Sequence, residues 1–403
     1  MMATIDHEPR EQTRILVITR NLPPLRGGME RLNYHLLREL AAGFGVHVCC
    51  PANCLRQLPQ NVKASTAPLR PLPGFIAVSA LNGLIAARRF RPHLVLAGSG
   101  LTAPLAVWVA RSCGARSAAY LHGLDIIAAH QAYQRLWVPR FRSLDLVLVN
   151  SRHTQKLAIH AGVEARRIQV LHPGVELPEV RAGDRDLFRR RFDLGERPLL
   201  LSLGRLTRRK GLVEFLESAM PGLVRRHPEL CLVVIGGEAV NALKKGGSGE
   251  VERIRATVDR LSLQQHVLLL GEQPDEVVSG AFAATAALIF PVLELAGDVE
   301  GFGMVAVEAA AHGVPTVAFA VGGVVDAVAE PDSGFLVRPG DYQGMSERLN
   351  GLLDGDGATQ SKARCLAFAN GFEWPRFGRR LRAVCAEVVE GTGAVPAEAG
   401  RAG

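Results

Sequence analysis

The chain has 403 residues, 48% of them apolar and 21% charged, with a net charge of +8. That length exceeds what one core usually serves, so two domains are expected, and the composition excludes a wholly disordered or collagen-like chain. Seven cysteines (Cys49, Cys50, Cys54, Cys113, Cys231, Cys365 and Cys385) form no C-x-x-C pair, which points to a reducing compartment with thiols used as small core residues. Cys49, Cys50 and Cys54 have the wrong spacing for a zinc site, so no metal is expected.

The polar start, MMATIDHEPREQTR, carries no apolar signal core, and no uninterrupted 18-residue apolar span follows. A cytoplasmic chain that does not cross a membrane is the expectation. The charge is lopsided. Residues 1–175 hold 21 Lys and Arg against 8 Asp and Glu, a net +13; the remainder holds 26 against 31, a net −5. From Leu40 to Leu124 there is no acidic residue. An anionic partner for the first half follows, or a plain solvated basic face. Nucleic acid is not expected, because aromatic residues are few and no reading motif is present.

In chain order, RILVITR (14–20) is a β-branched run that predicts a buried first strand. The loop NLPPLRGG leads into MERLNYHLLRELAAG, which has helical spacing, and GVHVCCP predicts a second strand. Further strands are predicted at 93–99, 116–123 and 145–151, with helices at 75–90, 103–113 and around 131–141. At LHPGVELPEV (171–180) prolines and a glycine break the pattern. The alternation then restarts, with strands at 198–205, 231–237, 266–271, 286–291, 315–320 and 335–339. Helices are predicted at 184–194, 212–228, 251–262, 275–284, 342–356 and 361–390, with a Gly- and Lys-rich loop near 242–250. Strands alternating with helices mean parallel sheets covered on both faces. The expectation is an α/β chain of two Rossmann-like, doubly wound domains facing each other across a ligand-binding cleft. The domains are set at 1–175 and 176–370, followed by a helix at 371–390 crossing back to the first and a disordered tail at 391–403.

SLGRLTRRKGL (202–212) ends a strand and places Arg205, Arg208, Arg209 and Lys210 just before a helix. Cations beside a helix N-terminus suit a doubly charged phosphate group. DVEGFGMVAVEAAAHGVP (298–315) likewise follows a strand and opens a helix. Gly301 and Gly303 allow close backbone approach, Glu300 can reach a ligand hydroxyl, and Glu308 lies about one and a half turns into an otherwise apolar helix, where a carboxylate suits a ribose diol. GFGMVA also fits G-x-G-x-x-A, but the glycines come too late after the strand and no acid ends the next one, so a dinucleotide reading is weak. In the first half, Gly27 and Gly28 follow strand one, and His122 of HGLD follows a strand. Two D-x-D pairs, Asp184/Asp186 and Asp354/Asp356, read as helix-start or loop acids.

Together GG-x-E, HG-x-D, HPGVE, GR-x-x-x-x-KG and E-G-F-G-x-x-x-x-E-A-x-A-x-G-x-P resemble glycosyltransferase family 4, the "group 1" transferases of the GT-B fold, over residues 14–390. FEWPRFGRRLRAVCAEV resembles the family's closing segment. The resemblance implies a retaining, metal-independent hexosyltransferase with no cofactor, taking a GDP- or UDP-linked sugar as donor. Arg205 and Lys210 would clamp the diphosphate, Glu308 would hold the ribose, and Glu300 the sugar hydroxyls. Backbone N–H groups of Phe302 and Gly303 would line sugar and phosphate, Gly27 and Gly28 would admit donor and acceptor, and His122 would contact the transferring sugar. The acceptor would be a glycan or lipid-linked, in cell-surface polysaccharide, lipopolysaccharide or glycolipid synthesis. The loop before Glu300 is longer than the family's usual form and adds Glu294 and Asp298. A nucleotide-sugar epimerase or binding protein of the same fold is the alternative. The apolar stretch 71–92, ending in Arg88, Arg89 and Arg91, raises peripheral contact with the inner face of an anionic membrane, against the plainer reading of an ordinary helix with a basic end.

Overall fold

The computed structural model describes residues 12–179, 183–238, 249–355 and 358–391. Most of the Gly- and Lys-rich loop, and the tail from residue 392, lie outside them. The chain divides into two compact units. One takes the described residues up to Asn150, then 155–171 and from Phe377 on; the other takes 151–154 and 172–376.

The first unit is built on a seven-stranded sheet: β1 (Arg14–Ile18), β2 (Gly45–Pro51), β3 (Val62–Ala67), β4 (Leu94–Ala97), β5 (Arg116–Leu121), β6 (Leu146–Val149) and β7 (Ile168–Val170). Its order is β3-β2-β1-β4-β5-β6-β7, and every pairing is parallel. Central strands such as LVLA and LVLV are buried along their whole length, as a sheet covered on both faces requires. β3 (VKASTA) and β7 (IQV) were not predicted. Both are edge strands, half solvated, and so carry no apolar run.

The second unit has six parallel strands: β8 (Leu199–Leu203), β9 (Cys231–Ile235), β10 (Val267–Gly271), β11 (Ala287–Phe290), β12 (Thr316–Phe319) and β13 (Gly334–Val337), in the order β10-β9-β8-β11-β12-β13. Each sheet reverses its strand order once, between β1 and β4 and between β8 and β11. Loops leaving the carboxyl ends of those two strands diverge, and open α/β sheets bind ligands in the gap they leave.

Two predicted helices are each broken. The run 212–228 forms Leu212–Ser218 and Met220–Arg226, because Pro221 has no N–H to continue the first helix and fits the opening turn of the second. The run 361–390 forms Ala358–Asn370 and Trp374–Glu390, with Pro375 again in the opening turn. The last helix starts in the second unit and then belongs to the first. There Arg382 donates to the Glu39 carbonyl at 2.6 Å and pairs with its carboxylate at 3.2 Å, and Gly378 sits so close that any Cβ would overlap the Glu39 carboxylate. Six cysteines are buried as expected, but Cys113 is exposed at the end of helix Ala103–Cys113. Asp184 and Asp186 lie in the first turn of helix Asp184–Arg191, and Asp354 closes helix Tyr342–Leu353.

Candidate functional site

In the second unit the two diverging loops are those after β8 and β11, and they carry both motifs singled out from the sequence. Gly211 adopts φ +67, and a Cβ there would overlap the Pro291 carbonyl, so only glycine lets the first loop lie against the second. The Leu293 N–H donates to the Arg209 carbonyl at 2.8 Å and fixes their register. A single 3-10 turn, Arg208–Lys210, then aims two cations at Glu300.

Lys210 Nζ donates to Glu300 Oε2 at 2.8 Å and sits 4.5 Å over the Phe290 ring. Arg209 pairs with the same carboxylate oxygen. Its Nε lies 2.9 Å from Asp298 Oδ1, close enough for an ion pair although the N–H is not aimed at the oxygen. All three paired side chains are largely withdrawn from water: 12% of Arg209, 18% of Lys210 and 15% of Glu300 remain accessible. Burial alone would raise the Glu300 carboxyl, but Lys210 and Arg209 outweigh it and hold the group at about 2. Burial lowers Lys210 despite the opposing pull of Glu300. Arg205 is exposed and makes no ion pair among the described residues. Of the two cations expected to clamp phosphate, one is therefore open and the other is held by Glu300. Arg209 and Asp298 were not assigned roles from the sequence; an Arg-Lys pair facing a loop with three acids was the available signal.

The backbone around Glu300 is gripped from a third side. After β12 the pair Gly322–Gly323 packs on it: the Gly323 N–H donates to the Glu300 carbonyl at 2.9 Å, and a Cβ on Gly323 would overlap the Gly301 carbonyl. Phe302 is buried, and its ring stacks on His172 with centroids 5.3 Å apart. His172, from the HPGVE hinge, lies 3.1 Å from the buried Asp326. Burial would raise that carboxyl, but hydrogen bonds from His172 and from the Arg152 backbone N–H hold it below its ordinary value. Gly303, at φ +94, caps helix Met304–Ala311 without a side-chain bond, and its carbonyl accepts from the Ala306 N–H at 2.9 Å. Glu308 is half-buried in that helix, and its carbonyl accepts from His312 Nδ1 at 2.8 Å.

In the first unit, Gly27 caps helix Gly28–Ala41, again without a side-chain bond. Glu30 accepts from Asn21 Nδ2 at 2.8 Å, and Asn33 holds Thr19 and the Asn21 carbonyl, so the glycine loop is braced from the helix it opens. His122 is 9% exposed. Its Nε2 lies 3.0 Å from the Gly98 carbonyl, which only accepts, so Nε2 carries a proton. Asp125 fixes the turn: Oδ1 accepts from the His122 N–H at 2.9 Å and Oδ2 from the Gly100 N–H at 2.7 Å. The aspartate of HGLD thus braces backbone. Among the described residues, no three His, Cys, Asp or Glu side chains group as metal ligands, and no helix is long and apolar enough to cross a membrane.

Two family models match in succession: "Glycosyltransferase Family 4" over residues 26–179 and "Glycosyl transferases group 1" over 184–367. A GDP-mannose-dependent alpha-(1-6)-phosphatidylinositol monomannoside mannosyltransferase of Mycolicibacterium smegmatis is 27% identical over 91% of this chain and 97% of its own length. A D-inositol 3-phosphate glycosyltransferase of Catenulispora acidiphila is 34% identical over 61% of this chain and 58% of its own length. Among solved structures, Anabaena Alr3699/HepE in complex with UDP and glucose superposes with a TM-score of 0.75 at 20% identity, covering 93% of this chain and all of that one, which speaks to fold. With both models matched in order and two parallel-sheet Rossmann-like units beneath them, the chain belongs to the group 1 glycosyltransferases of the GT-B fold.

Proposed function

We propose that the protein transfers a sugar, with retention of anomeric configuration, from a nucleotide-sugar donor to a glycan or lipid-linked acceptor. The observation that carries this is the pairing of Arg209 and Lys210 with Glu300, beside the exposed Arg205, at the strand-order reversal of the second sheet. It offers cations for a diphosphate and a carboxylate for sugar hydroxyls within one loop pair. The mycolicibacterial relative's name puts GDP-mannose first among donors, ahead of UDP-sugars.

In this reading the acceptor hydroxyl attacks the anomeric carbon from the side that the leaving group departs. The new C–O bond forms as the bond to the β-phosphate breaks. The acceptor proton passes to a β-phosphate oxygen, and Arg205 and Lys210 stabilise the charge on the departing nucleoside diphosphate. Glu308 holds the ribose, His122 the transferring sugar, and Gly27, Gly28, Gly301, Phe302 and Gly303 offer backbone close to the donor. Because side-chain cations gather where the phosphates would lie, turnover is expected to survive chelation with EDTA.

A lipid-linked acceptor at the inner face of the cytoplasmic membrane is favoured by the outer face of helix Leu72–Phe90. It exposes Leu81 (58%) and Ile85 (41%) next to Arg88 and Arg89, and Trp108 (50%) is exposed on helix Ala103–Cys113. Flotation with anionic vesicles at low salt checks this; failure to float removes the membrane from the reading.

The first test is thermal stabilisation by GDP, UDP, ADP and NAD in parallel. A ligand at 100 times its Kd adds about 2.7 kcal/mol. Selective stabilisation by GDP or UDP names the donor's nucleotide, and stabilisation by NAD alone would overturn the proposal.

A further inference from the structure

The loop after β11 brings a second carboxylate to the guanidinium that Glu300 uses. Arg209 meets Glu300 through Nη1 and Asp298 through Nε, so one planar group carries two acids that stand two positions apart in the chain. Arg209 and Lys210 bring two positive charges to this cluster, and Glu300 and Asp298 bring two negative ones. The four side chains therefore balance before any ligand arrives.

That balance leaves half of each carboxylate unused. Glu300 gives Oε2 to both cations, and Asp298 gives Oδ1 to Arg209. Among the described residues, Glu300 Oε1 and Asp298 Oδ2 have no hydrogen-bond or ion-pair partner. Asp298 is the more open of the two, with 38% of its side chain accessible against 15% for Glu300.

Pairing with Arg209 does not by itself account for Asp298. A carboxylate placed to hold a guanidinium meets it in plane, with two N–H groups on two oxygens. Here a single oxygen lies 2.9 Å from Nε, and the Nε–H is not aimed at it, so that buried N–H has no hydrogen-bond partner. Asp298 is placed instead by its own backbone. Its N–H donates to the Leu295 carbonyl at 3.2 Å across an isolated antiparallel bridge, and Gly297 takes φ +73 inside the turn. The turn presents the acid beside Glu300, with its second oxygen free. Two carboxylates fixed on one guanidinium suit two neighbouring hydroxyls of one sugar ring, each donating to one open oxygen.

We propose that Asp298 is a second carboxylate for the donor sugar, its Oδ2 accepting from a hydroxyl next to the one that Glu300 holds. This role rests on the nucleotide-sugar reading above and extends it by one residue. Asp298 makes no contact with the nucleoside diphosphate.

Calorimetric titration of the full-length protein with GDP and GDP-mannose, and with UDP and UDP-glucose, separates the two parts of the donor. The ratio of the bare nucleotide's Kd to that of its sugar form measures what the sugar adds. Asp298→Ala should lower this ratio roughly tenfold, the scale of a hydrogen bond to a charged group. Asp298→Asn keeps an acceptor oxygen without the charge and should lower it less. Glu294→Ala, at the exposed acid of the same loop, should leave it unchanged. Retained binding of the bare nucleotide shows that each variant still folds. If Asp298 served Arg209 alone, its loss would move both Kd values by the same factor. An unchanged ratio in Asp298→Ala, or an equal fall in Glu294→Ala, overturns the proposal and leaves the transferase reading standing. Binding of neither nucleotide by the unaltered protein removes both.

Discussion

Replacing Glu300 by glutamine should tighten the binding of a free nucleoside diphosphate while abolishing sugar transfer. Glu300 occupies Lys210 and Arg209, the same cations that a diphosphate would engage. A donor must therefore displace the carboxylate before it can use them. The carboxyl is held at about 2 against an ordinary 4.5, which corresponds to roughly 3 kcal/mol of preference for the charged form in place. Glutamine keeps the shape and removes the competing charge. The gain for the diphosphate is bounded by that figure at about a hundredfold, and about tenfold is expected after relaxation of the loop. The unliganded variant should also melt lower, because two largely buried cations lose their shared partner, a change on the order of 3–5 kcal/mol. Calorimetric titration with GDP and UDP reads the affinity directly. Equal or weaker binding in Glu300→Gln would refute the idea that the carboxylate holds the phosphate's place.

Lys210→Met should act oppositely, weakening nucleoside diphosphate binding by about 1–3 kcal/mol in the same titration. Gly323→Ala should raise the donor KM more than it lowers Tm, since the new methyl overlaps the Gly301 carbonyl and pushes the Glu300 loop outward. Acid should act in two stages. His35 is buried and pushed down to about 3, chiefly by burial, so the unfolded chain takes up a proton from pH 6.5 downward that the native one refuses, and stability falls with pH. Glu300 adds its loss below its ordinary 4.5, as pH drops toward 2. A His35→Leu variant should flatten the melting curve between pH 6.5 and 4.5 and leave the lower stage in place.

The alternation of strands and helices was readable because the central strands are continuous apolar runs, and the loops after β8 and β11 were readable because each follows such a run. Helices Ala103–Cys113 and Asp275–Ala284 match the predicted bounds. What escaped was of two kinds. Edge strands such as VKASTA are half solvated and carry no apolar signature. Side-chain pairings between loops distant in sequence have no local trace, so Glu300 could be marked as an acid in a ligand loop, but not as the partner of Lys210 and Arg209, 90 and 91 positions earlier. Asp125 shows a milder version. Its place in HGLD marked the turn, while its work on the Gly100 N–H, 25 positions back, became visible only in three dimensions.

The last helix has a consequence for how the protein is made. The first unit draws its final element from residues 377–391, at the far end of the described chain, where Arg382 and Gly378 close onto Glu39. A chain emerging from the ribosome usually completes its N-terminal domain first. Here that order is inverted: the second unit has all its strands before the first can seal the flank of helix Gly28–Ala41. Residues 12–171 produced alone would leave Glu39 without Arg382, so the first unit is completed only after the whole of the second has been made.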